Sequence, residues 1–454
     1  MICGFDYGTS NCALGLSQGA DVRLIPLEGQ HTFLPSTLYA LDRDLITEFV
    51  GKNIAVGDTR QAFVSSRQNV LARAQRARRE EDIDDNDQTL FFGRAAFEEY
   101  FQWPEDGYFV KSPKSFLGAT GLRAEHINFF EDLVAAMMQN IKQRAENQLG
   151  VEVTHTVIGR PVNFQGIDSE TSNRQALDIL TAAGKRAGFK EIEFLYEPIA
   201  AGLDFETKLT EDKTVLVVDI GGGTTDCAMV RMGPDYVGKE DRYADFLGHT
   251  GERVGGNDLD IRIAGKHLMP LFGMDALLKN GLPMPTQMYW NAITTNDVSA
   301  IATFNGMETK RQIDQLRLDA AEPKLVDRFL RMRAEKHNYH IVRNAEEAKI
   351  ALSDTLNHKV LMDYIEAGLS QDISRDGLAK SIEPPLEKML KLMMDAIEQA
   401  GEQPDLIYMT GGSAKSPVIR DAIQKRIGDV PVLDGDHFGS VAAGLTVWAE
   451  RIFR

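Results

Sequence analysis

An α/β fold built from two related halves is predicted by three features of this 454-residue chain. The first is a turn that occurs twice. Asp6-Tyr7-Gly8-Thr9-Ser10-Asn11-Cys12-Ala13 and Asp219-Ile220-Gly221-Gly222-Gly223-Thr224-Thr225-Asp226-Cys227-Ala228 both open on Asp and carry glycine and hydroxyl residues. The second is the apolar run Val215-Leu216-Val217-Val218 before Asp219, the pattern of a strand in a sheet covered on both faces. The third is the alternation of short strands with helical patterns along most of the chain. A self-match at this distance suggests two facing halves rather than a solenoid array.

Taken in order, residues 2–7 read as a strand, 8–11 as a turn and 12–16 as the returning strand. Residues 51–108 are largely polar, and the charged run 76–85 reads as a solvated helix end and loop. Residues 125–149 place Phe129, Leu133, Met137 and Ile141 at helical spacing, with the Met side chains as core filler. A strand over 154–159 leads through Pro161, a plain strand terminator on its own, to a helix around 173–187. A strand over 191–195 precedes Glu197-Pro198-Ile199-Ala200-Ala201-Gly202. Residues 265–342 alternate helical patches with Gly, Pro and Asn breaks. A helix with Leu386, Met389, Met393 and Ile397 on one face precedes a strand over 406–410, and the last helix covers 441–451.

The bulk properties narrow the function. A chain of this length exceeds one hydrophobic core and suggests about three domain-sized units. The net charge of −17 repels phosphate backbones and anionic lipid, so neither a nucleic acid nor a membrane is expected as a partner. The three cysteines, Cys3, Cys12 and Cys227, form no CxxC pair, which fits a reducing compartment. The first residues do not form a signal peptide, and no apolar stretch approaches the roughly 18 residues of a membrane span. A soluble, cytoplasmic protein is expected.

The repeated turn is a phosphate and metal device. Glycines let backbone N–H groups approach phosphate oxygens, and Thr and Ser add donors. An Asp carboxylate beside phosphate requires a cation, so Asp6 and Asp219 imply Mg²⁺ held through waters. Two ordinary Gly-rich hairpins are the plain alternative, and the joint occurrence of both turns favours the phosphate reading. No GxxxxGK[ST] loop and no dinucleotide fingerprint are present.

These residues resemble the nucleotide-binding domain of the heat-shock protein 70 family, within the actin-like ATPase superfamily. Gly4 to Asn11 and Asp219 to Asp226 resemble its two phosphate loops, and Tyr196 to Gly202 its first connecting helix. Gly255-Gly256-Asn257-Asp258-Leu259-Asp260 resembles its GG-x-D-x-D turn, Ala345 to Ser353 its adenosine helix, and Gly411 to Pro417 its adenosine loop. The motifs follow the family's order across nearly the whole chain. The resemblance implies two ribonuclease-H-like, actin-type lobes around a nucleotide cleft, each with a smaller subdomain. Lobe I core would take residues 1–38, 112–212 and 436–454, with 39–111 as its small subdomain. Lobe II core would take 213–256 and 381–435, with an enlarged small subdomain over 257–380.

The resemblance also implies roles. Asp6, Asp219 and Glu197 would hold waters on Mg²⁺. Gly8, Thr9, Ser10, Asn11, Gly221, Gly222 and Gly223 would cradle the phosphates of ATP or ADP. Thr224 would contact the γ-phosphate or the attacking water, and Asp226 would orient water or a cation. Lys114 matches the family's catalytic lysine, with Lys111 as a rival better read as a surface charge. Glu346 and Lys349 would bond the ribose. Gly255, Ile350, Ser353, Gly411, Gly412, Ser413 and Lys415 would complete the nucleoside side, and Pro161 matches a switch proline. The family's two adenine-flanking arginines are replaced here by Ile350 and Lys415, and the usual acidic residue is missing from Gly439-Ser440-Val441-Ala442-Ala443-Gly444. The family's apolar linker and peptide-binding β-sandwich are not expected, so neither is autonomous peptide binding. The expected function is a slow Mg²⁺-dependent ATPase whose lobes gate an unidentified partner or co-chaperone. The alternatives are an actin-like filament former, a small-molecule kinase of the same superfamily and a nucleotide-binding pseudo-enzyme.

Overall fold

In a computed structural model the chain forms two compact units. One comprises Met1–Arg253, Lys391–Ala414 and Ile427–Arg454, and the other Val254–Leu390 and Lys415–Arg426. The structure describes residues 1–18, 21–164, 169–237, 239, 243–435 and 439–453. The expected start of the last lobe I stretch, at 436–438, and its final residue 454 lie outside the described residues.

The first unit carries two sheets of the same plan. In one, the order is Asp21–Leu24, Asn11–Gln18, Ile2–Tyr7, His155–Arg160, Glu191–Tyr196, with the short strand Leu34–Pro35 also on Asn11–Gln18. In the other it is Phe246–Glu252, Thr225–Met232, Lys213–Ile220, Leu406–Thr410, Val432–Asp434. In both, the first three strands pair antiparallel and the last two join in parallel. The duplication read from the two turns is therefore carried by the sheets that present them. A third, three-stranded sheet of Leu90–Phe92, Thr37–Ala40 and Tyr108–Lys111 belongs to the same unit.

Two helices unite these sheets. Glu197–Glu206 and Ser440–Phe453 contribute Ala200, Ala201, Phe205, Val441, Leu445 and Ala449 to one core with Val157, Val215, Val217, Val230 and Tyr408. Burying each large apolar side chain contributes about 1.5–3 kcal/mol. The helices approach so closely that a Cβ at Gly444 would lie 1.7 Å from the Ala200 carbonyl oxygen.

The predicted elements occur with shifted ends, including helices Ala124–Leu149, Ser169–Arg186 and Arg375–Ala400. The charged run 76–85 differs from expectation at one residue. Arg78, on helix Gln68–Glu80, is buried, donating to Glu48 on the adjacent helix Leu45–Asn53 and to the Asp84 carbonyl. Helix packing, which local composition does not register, covers that one face.

The second unit contains helices Gly256–Ile263, Gln287–Ile293, Val298–Asn305, Met307–Asp319, Pro323–Ala334 and Asn338–Asp354 and the hairpin Asn357–Leu361 with Ser370–Ser374. Tyr289 stacks on Phe329 in its core with centroids 4.2 Å apart. Among the described residues, no helix is long and apolar enough to cross a membrane.

Candidate functional site

The duplicated turns meet. Strand Ile2–Tyr7 pairs Asp6 with Ala13, and strand Lys213–Ile220 pairs Asp219 with Asp226, so each Asp stands where its hairpin closes. The second turn is held by the Gly221 N–H donating to the Thr224 carbonyl at 3.0 Å. A Cβ at Gly222 would sit 2.0 Å from Ser10 Oγ, and one at Gly223 would sit 2.8 Å from Thr9. Glycine is required there because the backbone of one turn rests against the hydroxyls of the other. The parallel pairing of Asp219 with Thr410 brings in the following residue, Gly411. Gly411 has φ 85°, and a Cβ there would lie 2.2 Å from the Ile220 carbonyl oxygen.

A cavity of about 70 Å³ lies among these residues, more than twice the roughly 30 Å³ share of a liquid water molecule. The first turn lines it with Asp6, Gly8, Thr9, Ser10 and Asn11, and the second with Asp219, Gly221, Gly222 and Thr224. Glu197, Gly411 and Gly412 line it as well, whereas the predicted Gly223, Asp226 and Lys114 are not among its lining residues. Phe33, which no sequence signal marked, also lines it, as does Val441 from the 439–444 segment, which was not assigned to the site.

Lys114 reaches the same place by a local route. Strand Tyr108–Lys111 pairs with Thr37–Ala40, and the Ser112 N–H donates to the Ser36 carbonyl. Ser112 then adopts φ 57°, a left-handed conformation that needs local support outside glycine, and Pro113 opens a short 3₁₀ turn. That turn buries Lys114, whose Nζ donates to Glu197 at 2.5 Å and to the Gly159 carbonyl at 3.2 Å. Lys111, in contrast, stays on the strand and is half-buried. Ser115, the next residue after Lys114, has a buried Oγ without a hydrogen-bond partner among the described residues, 3.2 Å from where a Gly223 Cβ would be. Sequence reading passed over it.

Charge is crowded here. Burial, then the Glu197 charge, hold Asp6 above the ordinary carboxylate range against the pull of Lys114. Burial and the carboxylates of Glu197, Asp226 and Asp6 push Asp219 well above it. Asp226 is raised to about 7 by burial and Glu197, although the Val162 N–H and the Thr224 hydroxyl partly offset this. For Lys114, burial opposes the charge, and Glu197 and Asp6 overcome it, so its pKa is raised.

Four carboxylates against one lysine are the donor set that a divalent cation relieves. Among the described residues, no three His, Cys, Asp or Glu side chains come together as a metal-holding group. Asp226 adds a specific donor. Its Oδ1 accepts from the Val162 N–H at 2.6 Å, while its buried Oδ2 has no hydrogen-bond partner among the described residues. The same bond ties the second turn to the residue after Pro161.

The nucleoside-side residues fall in the second unit, except for Gly411, Gly412 and the buried Ser413. Gly255 precedes helix Gly256–Ile263 and its N–H donates to Asp258. On helix Asn338–Asp354, Lys349 pairs with Asp260 at 2.7 Å and donates to the Gly256 carbonyl, and Glu346 pairs with Arg343 at 3.2 Å. Ser353 bonds back to the Lys349 carbonyl at 3.4 Å. Ile350 is 57% exposed and Lys415 is exposed.

A model of the Hsp70 family, described as "Hsp70 protein", matches residues 106–277 and 310–450, well over half of the chain. The match spans Lys114, Glu197, the second turn, the Asn338–Asp354 helix and Gly411. It agrees with the mixed α/β architecture and with an ATP-binding, chaperone-like function. The chain belongs to the Hsp70 family.

Proposed function

We propose that this chain is a Mg²⁺-dependent ATPase whose two actin-type lobes change arrangement with nucleotide state and thereby gate a partner protein in the cytoplasm. The observation that carries the reading is the buried Lys114–Glu197 pair beside a cavity edged by both Asp-Gly-hydroxyl turns. Phosphoryl transfer needs positioning and charge stabilisation more than covalent chemistry, and these residues supply both.

The turn glycines expose backbone N–H groups to phosphate oxygens, with Thr9 and Ser10 adding hydroxyls. Asp6 and Asp219 would hold a magnesium ion through its waters, and the ion would supply positive charge to neutralise the phosphate oxygens. Lys114 faces the charge that builds on the transferred phosphoryl group, and Glu197 keeps its ammonium in place. Thr224 and the unpartnered Asp226 Oδ2 hold the attacking water. Because Asp226 also accepts from Val162, the state of the second turn is coupled to the Pro161 segment. That coupling is the route by which nucleotide state reaches the rest of the molecule.

The test is a thermal scan with millimolar Mg²⁺-ATP, together with phosphate release with and without cell-lysate fractions. Ligand binding to the native state raises the melting temperature. Stimulation by a fraction supports a gated partner. No thermal shift and no phosphate release would remove the reading.

A further inference from the structure

Phe33 stands apart from the other residues that line the phosphate cavity. The rest are residues of the two turns, Glu197, the glycines Gly411 and Gly412, and Val441, which is 7% exposed and belongs to the core that unites the sheets. Phe33 is half-buried and lies in neither a helix nor a strand. A phenyl ring offers a phosphate no hydrogen bond, and its face is negative. It therefore does not serve this cavity as a ligand.

The neighbouring contacts show how the ring is held. Strand Leu34–Pro35 pairs with Asn11–Gln18, and Leu34 is fully buried opposite Cys12. Alternation along an extended chain then turns Phe33 the other way, and it borders the cavity. Its carbonyl accepts from Arg94 Nη1 at 3.1 Å. Arg94 opens helix Arg94–Gln102 and pairs with Glu28 at 2.5 Å. Gly93, with φ 67°, packs so closely that a Cβ there would lie 2.3 Å from Leu34 Cδ1. The Arg94 side chain is 41% exposed, so water competes with this strap.

The rest of the wall is fixed more firmly. The two turns interlock at Gly222 and Ser10, and Gly411 is pressed against the Ile220 carbonyl. Ser36 holds the first turn, its Oγ donating to the Gly8 carbonyl at 2.6 Å and its N–H to the Ser10 carbonyl at 2.9 Å. At about 70 Å³ the cavity has room for about two water molecules. A phosphate ion fills that space and leaves only when part of the wall gives way. Among the described lining residues, Phe33 is the one held through a partly exposed strap.

We propose, on the basis of the ATPase reading, that the Phe33 ring retains the phosphate produced by ATP cleavage and that Arg94 positions the ring. With ADP beyond Gly411 and Gly412, the phosphate leaves past the first turn, and the ring swings aside to let it out. Release, rather than cleavage, then limits turnover, as conformational steps do in many enzymes.

The full chain is mixed with substoichiometric Mg²⁺-ATP for a single turnover. Acid quenching follows cleavage, and a fluorescent phosphate sensor follows release. In the wild type, release lags behind cleavage. Phe33→Ala releases phosphate about tenfold faster or more, with a smaller change in cleavage, and Phe33→Tyr keeps the lag. Arg94→Gln, altered outside the cavity, moves release in the same direction by a smaller factor. Inorganic phosphate preloaded with Mg²⁺-ADP dissociates faster from Phe33→Ala as well, a readout that needs no turnover. The proposal is overturned if wild-type release keeps pace with cleavage, if Phe33→Ala leaves the lag unchanged, or if it slows cleavage and release in equal proportion, as simple loss of packing does. A wild type that cleaves no ATP removes the ATPase reading and this role with it, whereas cleavage with an unchanged lag in Phe33→Ala removes this role alone.

Discussion

Around the phosphate cavity, Asp6, Asp219 and Asp226 are held above the ordinary carboxylate range by burial and by neighbouring charge, with Lys114 as the opposing cation. On helix Asn338–Asp354 the candidate nucleoside residues are in the opposite condition. Glu346, Lys349 and Ser353 already have partners within their own unit, and Ile350 projects into solvent. The first set is electrostatically incomplete and gains from a metal and a phosphate. The second is complete, so it has less to gain from a ligand. Nucleotide affinity in this chain should therefore rest on phosphates and magnesium more than on the base.

The largest effect expected from that contrast is at Asp219. Asp219→Asn should reduce phosphate release by at least about a hundredfold, the scale of losing one preorganised electrostatic group. The same change should raise the melting temperature of the metal-free protein, because it removes a carboxylate that burial and like charges disfavour. Thermal scans with and without Mg²⁺ separate these opposite signs, and a metal-free protein that melts lower than wild type would break the comparison.

Next is the Lys114–Glu197 pair. Removing one member of a buried pair costs about 3–5 kcal/mol, because the other charge is left uncompensated. Lys114→Ala should therefore be destabilised without ligand, and Lys114→Ala/Glu197→Gln should recover much of the loss. Denaturant midpoints of the two variants check this. Equal destabilisation of both would show that Glu197 is not the strained partner.

The two regions should also respond oppositely to pH. Asp226, raised from 3.8 to about 7, contributes stability that is fully present below pH 3.8 and lost as pH rises through 7. His340 lies in the second unit, stacked on Tyr364 at 3.6 Å, and burial followed by the His337 charge lowers it from 6.5 to about 4. Its contribution is present above pH 6.5 and lost as pH falls through 4. Between these limits, hydrogen-exchange protection in metal-free protein should fall with rising pH around Asp226 and increase around His340. Parallel slopes would remove the distinction.

The smallest effect concerns the base. A guanidinium over an aromatic face adds roughly 0.5–2 kcal/mol, and Ile350 offers only apolar contact. Ile350→Arg should raise affinity by up to about tenfold, equally for ATP and ADP, since the base does not sense the γ-phosphate. Calorimetry with both nucleotides measures it, and unchanged affinity would remove Ile350 from the base-contacting set.

The turns were legible because their signal is local: glycine, hydroxyl and Asp within a few residues predict the hairpins that the structure contains. The matching strand order of the two sheets follows from the same repeat. Contacts made by the fold were less legible. Lys114 was singled out through family resemblance, and only the left-handed Ser112 and the 3₁₀ turn after it explain why Lys114 rather than Lys111 meets Glu197. Phe33 comes from an irregular segment that no motif joins to the turns, and Val441, although within the 439–444 motif, reaches the cavity only through helix packing. Arg78 sits in a run of charge that reads as solvated until helix packing covers it. The bond from Val162 to Asp226 joins residues 64 positions apart through a backbone N–H, a group that sequence does not distinguish.

The most direct test of the account is phosphate release from Mg²⁺-ATP by the wild type, Lys114→Ala and Lys111→Ala, with ATP binding measured on the same preparations. If, as proposed, Lys114 acts chiefly on charge that develops in the transition state, its loss should abolish most turnover and leave ATP affinity close to the wild type. Lys111→Ala should hydrolyse ATP as the wild type does. Wild-type turnover in Lys114→Ala would contradict the account, because the buried pair at the phosphate cavity would then have no part in the reaction.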